Sequence, residues 1–438
     1  MRKAVVIVLA LAGPVLSQEP QPQPRTLSLE EALGTARTNQ PQLRQAQAAT
    51  EAARARADQA RAPLLPQVSS TASFQRTTSN FVARPGSLPS SLSQGSRSAS
   101  FDTFGFYNAG LSASQLIYDF GQTTGQWRAA EAGAQAQADT ERATRLQIDL
   151  DARTAYFDAR AAKALVRVAQ ESLANQDRHL AQIQGFVEVG RRPEIDLAQV
   201  RTDLANARVQ LINSENDYDT ARARLNQVMG VEAPTDYDIA DETLPVVSGE
   251  DQPLDGLLDE ALRARPELAA LSSQVRAQEQ ILRSARGAYG PSLNLSTGLS
   301  EAGSEIDDLV WNWNAGLLLS WPLFQGGQTR AQVRAARAEL AGLQAHVDAL
   351  RQQVRLEVDQ ARLAVRAAVA TLGAADDAVL NARERLRLAE GRYETGVGSP
   401  IELGDAQLAL TNAEAQSVQA EYSLASARAR LLKALGRP

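Results

Sequence analysis

The sequence predicts a tandemly duplicated chain in which long α-helices alternate with two pairs of short β-strands patterned like those of a transmembrane barrel. Three observations carry that prediction. The order helix, strand, strand, long helix, helix occurs twice; four segments alternate with period two; and two proline-free stretches of about 65 residues keep helical spacing.

Composition narrows the function classes. Of 438 residues, 45 are basic and 51 acidic, a formal charge of −6, so the basic footprint of a nucleic-acid binder is missing. With no cysteine there is no disulfide framework, zinc ribbon, thiol nucleophile or acceptor for a lipid anchor. Two histidines, His179 and His346, stand far apart in helix-patterned sequence and are expected on helix surfaces. No catalytic triad, metal cluster or phosphate loop is visible, so no enzyme, metal or cofactor is expected.

The first element is a signal peptide over 1–17. Arg2 and Lys3 precede an apolar run from Ala4 to Ala12, then Gly13, Pro14 and the small residue Ser17. Its removal would take the charge to −8. The first repeat, 18–230, opens with a helix over 28–62 and continues with strands at 66–75 and 104–117, then helices at 122–187 and 193–229. A linker covers 231–253. The second repeat, 254–438, has a helix over 254–287, strands at 291–300 and 311–323, and helices at 327–394 and 399–435.

The duplication is legible residue by residue. Leu29 through Gln40-Pro41-Gln42-Leu43 matches Leu254 through Arg265-Pro266-Glu267-Leu268 at a spacing of 225, which also places Pro66 on Pro291. Beyond the strands the spacing falls to 206, taking Asn108-Ala109-Gly110-Leu111 to Asn314-Ala315-Gly316-Leu317, Gly190 to Gly396 and Gly230 to Gly436. The 19 extra residues of the first copy fall in the serine-rich stretch 76–103, read as an extracellular loop.

The strands have one apolar and one small polar face. Val68, Ser70, Ala72 and Phe74 alternate with Gln67, Ser69, Thr71 and Ser73; Tyr107, Ala109, Leu111 and Ala113 with Asn108, Gly110, Ser112 and Ser114. In the second copy Leu293, Leu295, Thr297 and Leu299 oppose Asn294, Ser296, Gly298 and Ser300. Trp311, Trp313, Ala315, Leu317, Leu319, Trp321 and Leu323 alternate with Asn312, Asn314, Gly316, Leu318 and Ser320. A soluble sheet solvates charge on its polar face, whereas these faces are expected to carry none. The pattern favours strands that are apolar toward lipid and polar toward a lumen, with Trp311, Trp313, Trp321 and Tyr107 as membrane-interface aromatics. The competing reading is a secreted periplasmic coiled-coil scaffold with a soluble sheet.

The long helices carry an Ala/Leu/Val stripe, for example Leu340, Leu343, Val347, Leu350, Val354 and Val358. Some 65 residues span on the order of 95 Å. Four strands cannot close a barrel, and open edges in lipid leave unpaired backbone groups, so the chain must associate.

In this order of elements the sequence resembles the TolC-like outer-membrane channels of efflux pumps and type I secretion systems, over essentially the whole mature chain. The match includes the turns Tyr118-Asp119-Phe120-Gly121-Gln122 and Phe324-Gln325-Gly326-Gly327-Gln328, and most strongly the run from Tyr393-Glu394-Thr395-Gly396 to Leu403-Gly404-Asp405-Ala406-Gln407, which is similar to the family's periplasmic hairpin tip. The resemblance implies a homotrimer with a 12-stranded barrel in the outer membrane, continued by an all-α tunnel through the periplasm. The linker would belt the waist, a periplasmic adaptor would dock at the tip, and an inner-membrane pump or ATP-driven transporter would supply the energy. It also implies a periplasmic gate of acidic side chains at Asp196, Glu402 and Asp405, concentrating cations at the entrance. Ser399-Pro400-Ile401-Glu402 also reads as a capping box. A latch would join Tyr393 to Asp196 on a neighbouring hairpin; where the family pattern has an arginine this chain carries Gly398, with Arg192 at the equivalent place in the first copy.

Overall fold

The computed structural model describes residues 25–78 and 101–438; the signal segment 1–17 and most of the serine-rich insertion lie outside the described residues. In chain order the elements are β1 (Arg25–Leu27), α1 (Leu29–Asn39), α2 (Pro41–Arg61), β2 (Gln67–Thr78), β3 (Thr103–Tyr118), α3 (Gln122–Glu188), α4 (Glu194–Met229), β4 (Tyr237–Ile239), α5 (Leu254–Ala264), α6 (Pro266–Gly287), β5 (Ser292–Gly303), β6 (Val310–Ser320), α7 (Gln328–Glu394) and α8 (Pro400–Leu435). No described helix is long and apolar enough to cross a membrane.

The single helices expected over 28–62 and 254–287 are each broken in two. Gln40 and Arg265 precede prolines, and a proline ring excludes the α conformation from the residue before it. Both are extended, at φ/ψ −61°/119° and −69°/121°, and Pro41 and Pro266 then open the next helix. Each break docks on the end of a long hairpin. The Gln40 amide donates to the Val228 carbonyl at 2.9 Å, and Arg265 Nε donates to the Ala434 carbonyl at 2.7 Å. Beside them sit the matched glycines Gly230 and Gly436, both at positive φ. A Cβ there would lie 2.8 Å from the Asn39 carbonyl oxygen or 3.0 Å from that of Ala264.

The larger sheet has the order β2-β3-β5-β6, with every neighbouring pair antiparallel. Its register aligns Ser70, Leu111, Leu299 and Trp313 on one face and Thr71, Gly110, Ser300 and Asn312 on the other. A bulge between Leu116 and Tyr118 pairs Tyr118 with Leu293, which brings that aromatic onto the apolar face. β2 and β5 run further than expected, and the extensions carry Arg76 and Glu301, both on the face expected to be apolar. They lie toward the strand ends remote from the helices, where Arg76 Nε donates to Thr103 Oγ1 at 2.9 Å. β6 stops at Ser320 instead of 323, because Pro322 has no N–H for the ladder.

From the sheet, α3 and α7 each run 67 residues, about 100 Å. Halfway along them lie the two largest cores. One joins Leu27, Ala32, Tyr156, Phe157, Leu225 and Ile239; the other joins Leu257, Leu268, Val354, Val358, Val365 and Leu431. The parallel β1–β4 pair is fixed there by the Tyr156 hydroxyl, which donates to the Ala240 carbonyl at 3.1 Å. Lys163 binds Asp238 at 2.6 Å, and the Arg428 fork holds Glu250 through two bonds of 2.9 and 3.0 Å. A third core, at the far ends, packs Ile183 and Val200 against Leu386, Tyr393 and Leu403, locking the α3/α4 hairpin to the α7/α8 hairpin.

Candidate functional site: hairpin tips and sheet

Both hairpin tips are built the same way. At the end of α3, Gly190 takes φ +74°, its N–H donates to the Val187 carbonyl and that of Arg191 to Phe186. At the end of α7, Gly396 takes φ +78°, its N–H donates to Tyr393 and that of Val397 to Arg392. These paired bonds satisfy the last carbonyls of each helix and require a residue that tolerates the left-handed region, hence glycine. Gly398 has a separate reason. A Cβ there would stand 2.9 Å from the Tyr393 nitrogen and 3.0 Å from the Arg392 carbonyl carbon. An arginine cannot occupy this turn as it is folded.

The expected gate residues divide between the tips. Asp196 lies in the first turn of α4, half-buried, with Arg192 at 3.8 Å. Glu402 and Asp405 start α8 on the other hairpin. Ser399 Oγ accepts from the Glu402 N–H at 3.1 Å, so the serine half of the capping box is present. The Glu402 carboxylate instead meets Arg392 Nε at 3.2 Å. Asp405 is exposed one turn further on.

The tyrosine contact is wired differently from the expected Tyr393–Asp196 bond. Tyr393 is 3 % exposed and its hydroxyl has no hydrogen-bond partner. The Arg192 guanidinium lies 5.2 Å above its ring, and Asp196 pairs with that arginine. Burial pushes the Tyr393 hydroxyl above its ordinary range, Arg192 opposing and Asp196 adding. His179 also corrects the sequence reading: it is buried, and its ring meets Tyr393 edge-on at 5.6 Å. Burial holds its pKa below the ordinary histidine value, against an upward pull from Asp203, and Nδ1 has no partner. Sequence reasoning missed His179, Phe186 and Arg392 at this site. Folding the hairpin about Gly396 would have found Arg392 opposite Glu402; nothing local marks His179.

At the sheet, Trp311 and Trp313 are exposed on the apolar face, and Tyr107 sits beside Phe74 with ring centres 4.7 Å apart. Trp313 Nε1 donates to Thr297 Oγ1 at 3.1 Å. Trp321 lies past the helix-side end of β6, its Nε1 donating to the Tyr289 carbonyl at 3.1 Å. The ten residues from Trp311 to Trp321 cover about 33 Å of strand. Among the described residues, β2 and β6 each have a bonded neighbour on one side only.

The family model for outer membrane efflux proteins matches residues 32–231 and 257–437, the two repeats. Outer membrane protein TolC of Escherichia coli K12 is 27 % identical over 454 aligned positions, covering 100 % of this chain and 87 % of that protein. The pyoverdine export outer membrane protein OpmQ of Pseudomonas putida is 29 % identical over 93 % of this chain and 85 % of its own length. Among solved structures, the Campylobacter jejuni CmeC outer membrane channel superposes with a TM-score of 0.80 at 20 % identity, over 93 % of this chain and 85 % of that one. That last likeness concerns the fold. None of these likenesses supports the periplasmic scaffold reading.

Proposed function

This chain belongs to the outer membrane efflux protein family, and from that premise we propose that three copies assemble into one passive exit duct across the outer membrane and periplasm. The observation that carries the proposal is the four-stranded sheet whose two edges are bare among the described residues, mainly apolar on one face and small and polar on the other. Bare edges in hydrocarbon are costly, so β2 of one copy pairs with β6 of the next. Two copies would give eight strands and little free lumen; three give twelve and a conduit.

The polar ladder of Asn294, Asn312, Asn314, Ser112 and Ser296 lines that lumen, and Trp311, Trp313, Tyr107 and Trp321 mark the two lipid interfaces. The long helices continue the duct for about 100 Å through the periplasm. At its end, Asp196, Glu402 and Asp405 ring the constriction, and Arg192 stacked on Tyr393 ties the hairpins in the closed state. A periplasmic adaptor docks on the tips, and an inner-membrane pump or ATP-driven transporter drives cargo into the duct. The pyoverdine exporter among its relatives supports efflux of small organic molecules as the task.

Single-channel recording in planar bilayers tests the duct. The detergent-purified mature chain should give discrete conductance steps that are cation-selective from the tip side. A preparation that inserts and conducts nothing overturns the reading.

A further inference from the structure

Where the helices meet the sheet, charge runs against the acidic bias of the chain. The last five residues of α2 and α6 and the first seven of α3 and α7 hold Arg61, Arg128, Arg283, Arg286, Arg330 and Arg334 against a single acid, Asp58. In the single chain all six arginines are exposed, and none takes part in an ion pair among the described residues. Arg61 lies over the Trp127 ring, 5.5 Å from its centre.

Two pairs are matched by the duplication itself. Arg61 maps to Arg286 at the spacing of 225, and Arg128 maps to Arg334 at 206. All four are exposed on the helix surface. Arg128, Gln135, Arg142, Asp149 and Tyr156 follow one another at seven-residue intervals along α3. On that seam Asp149 binds Arg37 of α1 at 2.7 Å, and Tyr156 bonds Ala240 beside the β1–β4 pair. Within the proposed duct α1 and this strand pair lie on the outside, which places Arg128 on the outward side of α3.

The height is equally defined. Tyr118, Phe120, Tyr289 and Trp321 are exposed at the helix-side end of the sheet. The arginines begin within about 10 Å below them along the helices. A headgroup layer lies at that distance from the edge of the hydrocarbon.

We infer that these arginines form a belt that binds the phosphates of anionic phospholipids in the periplasm-facing leaflet. The inference rests on the outer-membrane reading above, since the belt is continuous with the lipid face of the sheet. Guanidinium forks bind phosphate bidentately, and long arginine stems let the charge reach the headgroups from the helix surface.

The test compares purified protein in nanodiscs of phosphatidylcholine with and without added phosphatidylglycerol. Retained lipid is read by native mass spectrometry and unfolding by thermal melts. Wild type should retain phosphatidylglycerol over phosphatidylcholine and melt higher when it is present. In R128Q/R334Q and in R61Q/R286Q that preference should fall roughly fivefold or more, while R128K/R334K keeps most of it. Equal retention of the two lipids by wild type, or an undiminished preference in both Gln pairs, overturns the belt. Conductance in planar bilayers, expected unchanged in every variant, reports separately on the duct; its loss in wild type would sink the outer-membrane reading and not the belt alone.

Discussion

At the scale of single residues, the tip adds a cation–ring contact and a buried histidine to its apolar core. Tyr393 contributes a ring face to Arg192 and leaves its hydroxyl unused. Tyr393→Phe should therefore leave closed-state conductance near wild type, while Asp196→Ala combined with Arg192→Ala should raise it; a large rise from Tyr393→Phe alone would reject this wiring. His179 supplies a pH dependence with a definite sign. Its folded pKa is held down by burial, so the packed tip has its full stability above the ordinary histidine value of about 6.5 and loses it as pH falls from there toward the depressed value. Amide protection in 393–398, taken as exchange corrected for the intrinsic base-catalysed rate at each pH, should fall between about pH 7.5 and about pH 5.5. His179→Phe should flatten that response, and an unchanged response in the variant would remove His179 from the account.

At the scale of elements, the helix breaks and glycine caps form one device, used twice. Gly436→Ala forces a side chain into the left-handed region and against the Ala264 carbonyl oxygen at 3.0 Å. It should destabilise the fold by about 1–3 kcal/mol, read as a drop in melting temperature, and Gly190→Ala, with open space around it, should cost less. The waist clamp is stronger. Glu250 and Arg428 are both largely buried, and removing one partner leaves the other charge uncompensated. Arg428→Met should cost about 3–5 kcal/mol. Burial pushes the Glu250 carboxyl up, but the Arg428 fork and the Val247 N–H together hold it below its ordinary value. Its stabilisation is thus present above about pH 4.5 and lost as pH falls through the lower folded value. An acid melt of the Glu250→Gln variant should lack that component.

The matched glycines and prolines were readable in the sequence as correspondences, but their cause was not. Gly230 and Gly436 recur because another segment's backbone, far away in the chain, rests on them. The same holds for Gln40 and Arg265, whose partners lie on α4 and α8. Pro41 and Pro266 could have announced the breaks locally, since a proline keeps the residue before it out of the α conformation.

At the scale of the whole molecule, the strand pattern was legible because alternation is local, and the length of the helices because proline is absent from them. The strand order and the bulge at Leu116–Tyr118 were not, since pairing β3 with β5 joins the two repeats and depends on where the helices deliver them. The tip wiring was half legible. Gly396, Ser399 and Pro400 declare the turn, but the choice of Arg192 over Asp196 as the neighbour of Tyr393 is settled by packing between hairpins.

A sheet left open at both edges among the described residues, on helices about 100 Å long, calls for assembly. Light scattering with the detergent contribution subtracted measures it directly. The expected particle contains three mature chains, each slightly under the 47.0 kDa of the full sequence. A single chain that remains dispersed without detergent would contradict it.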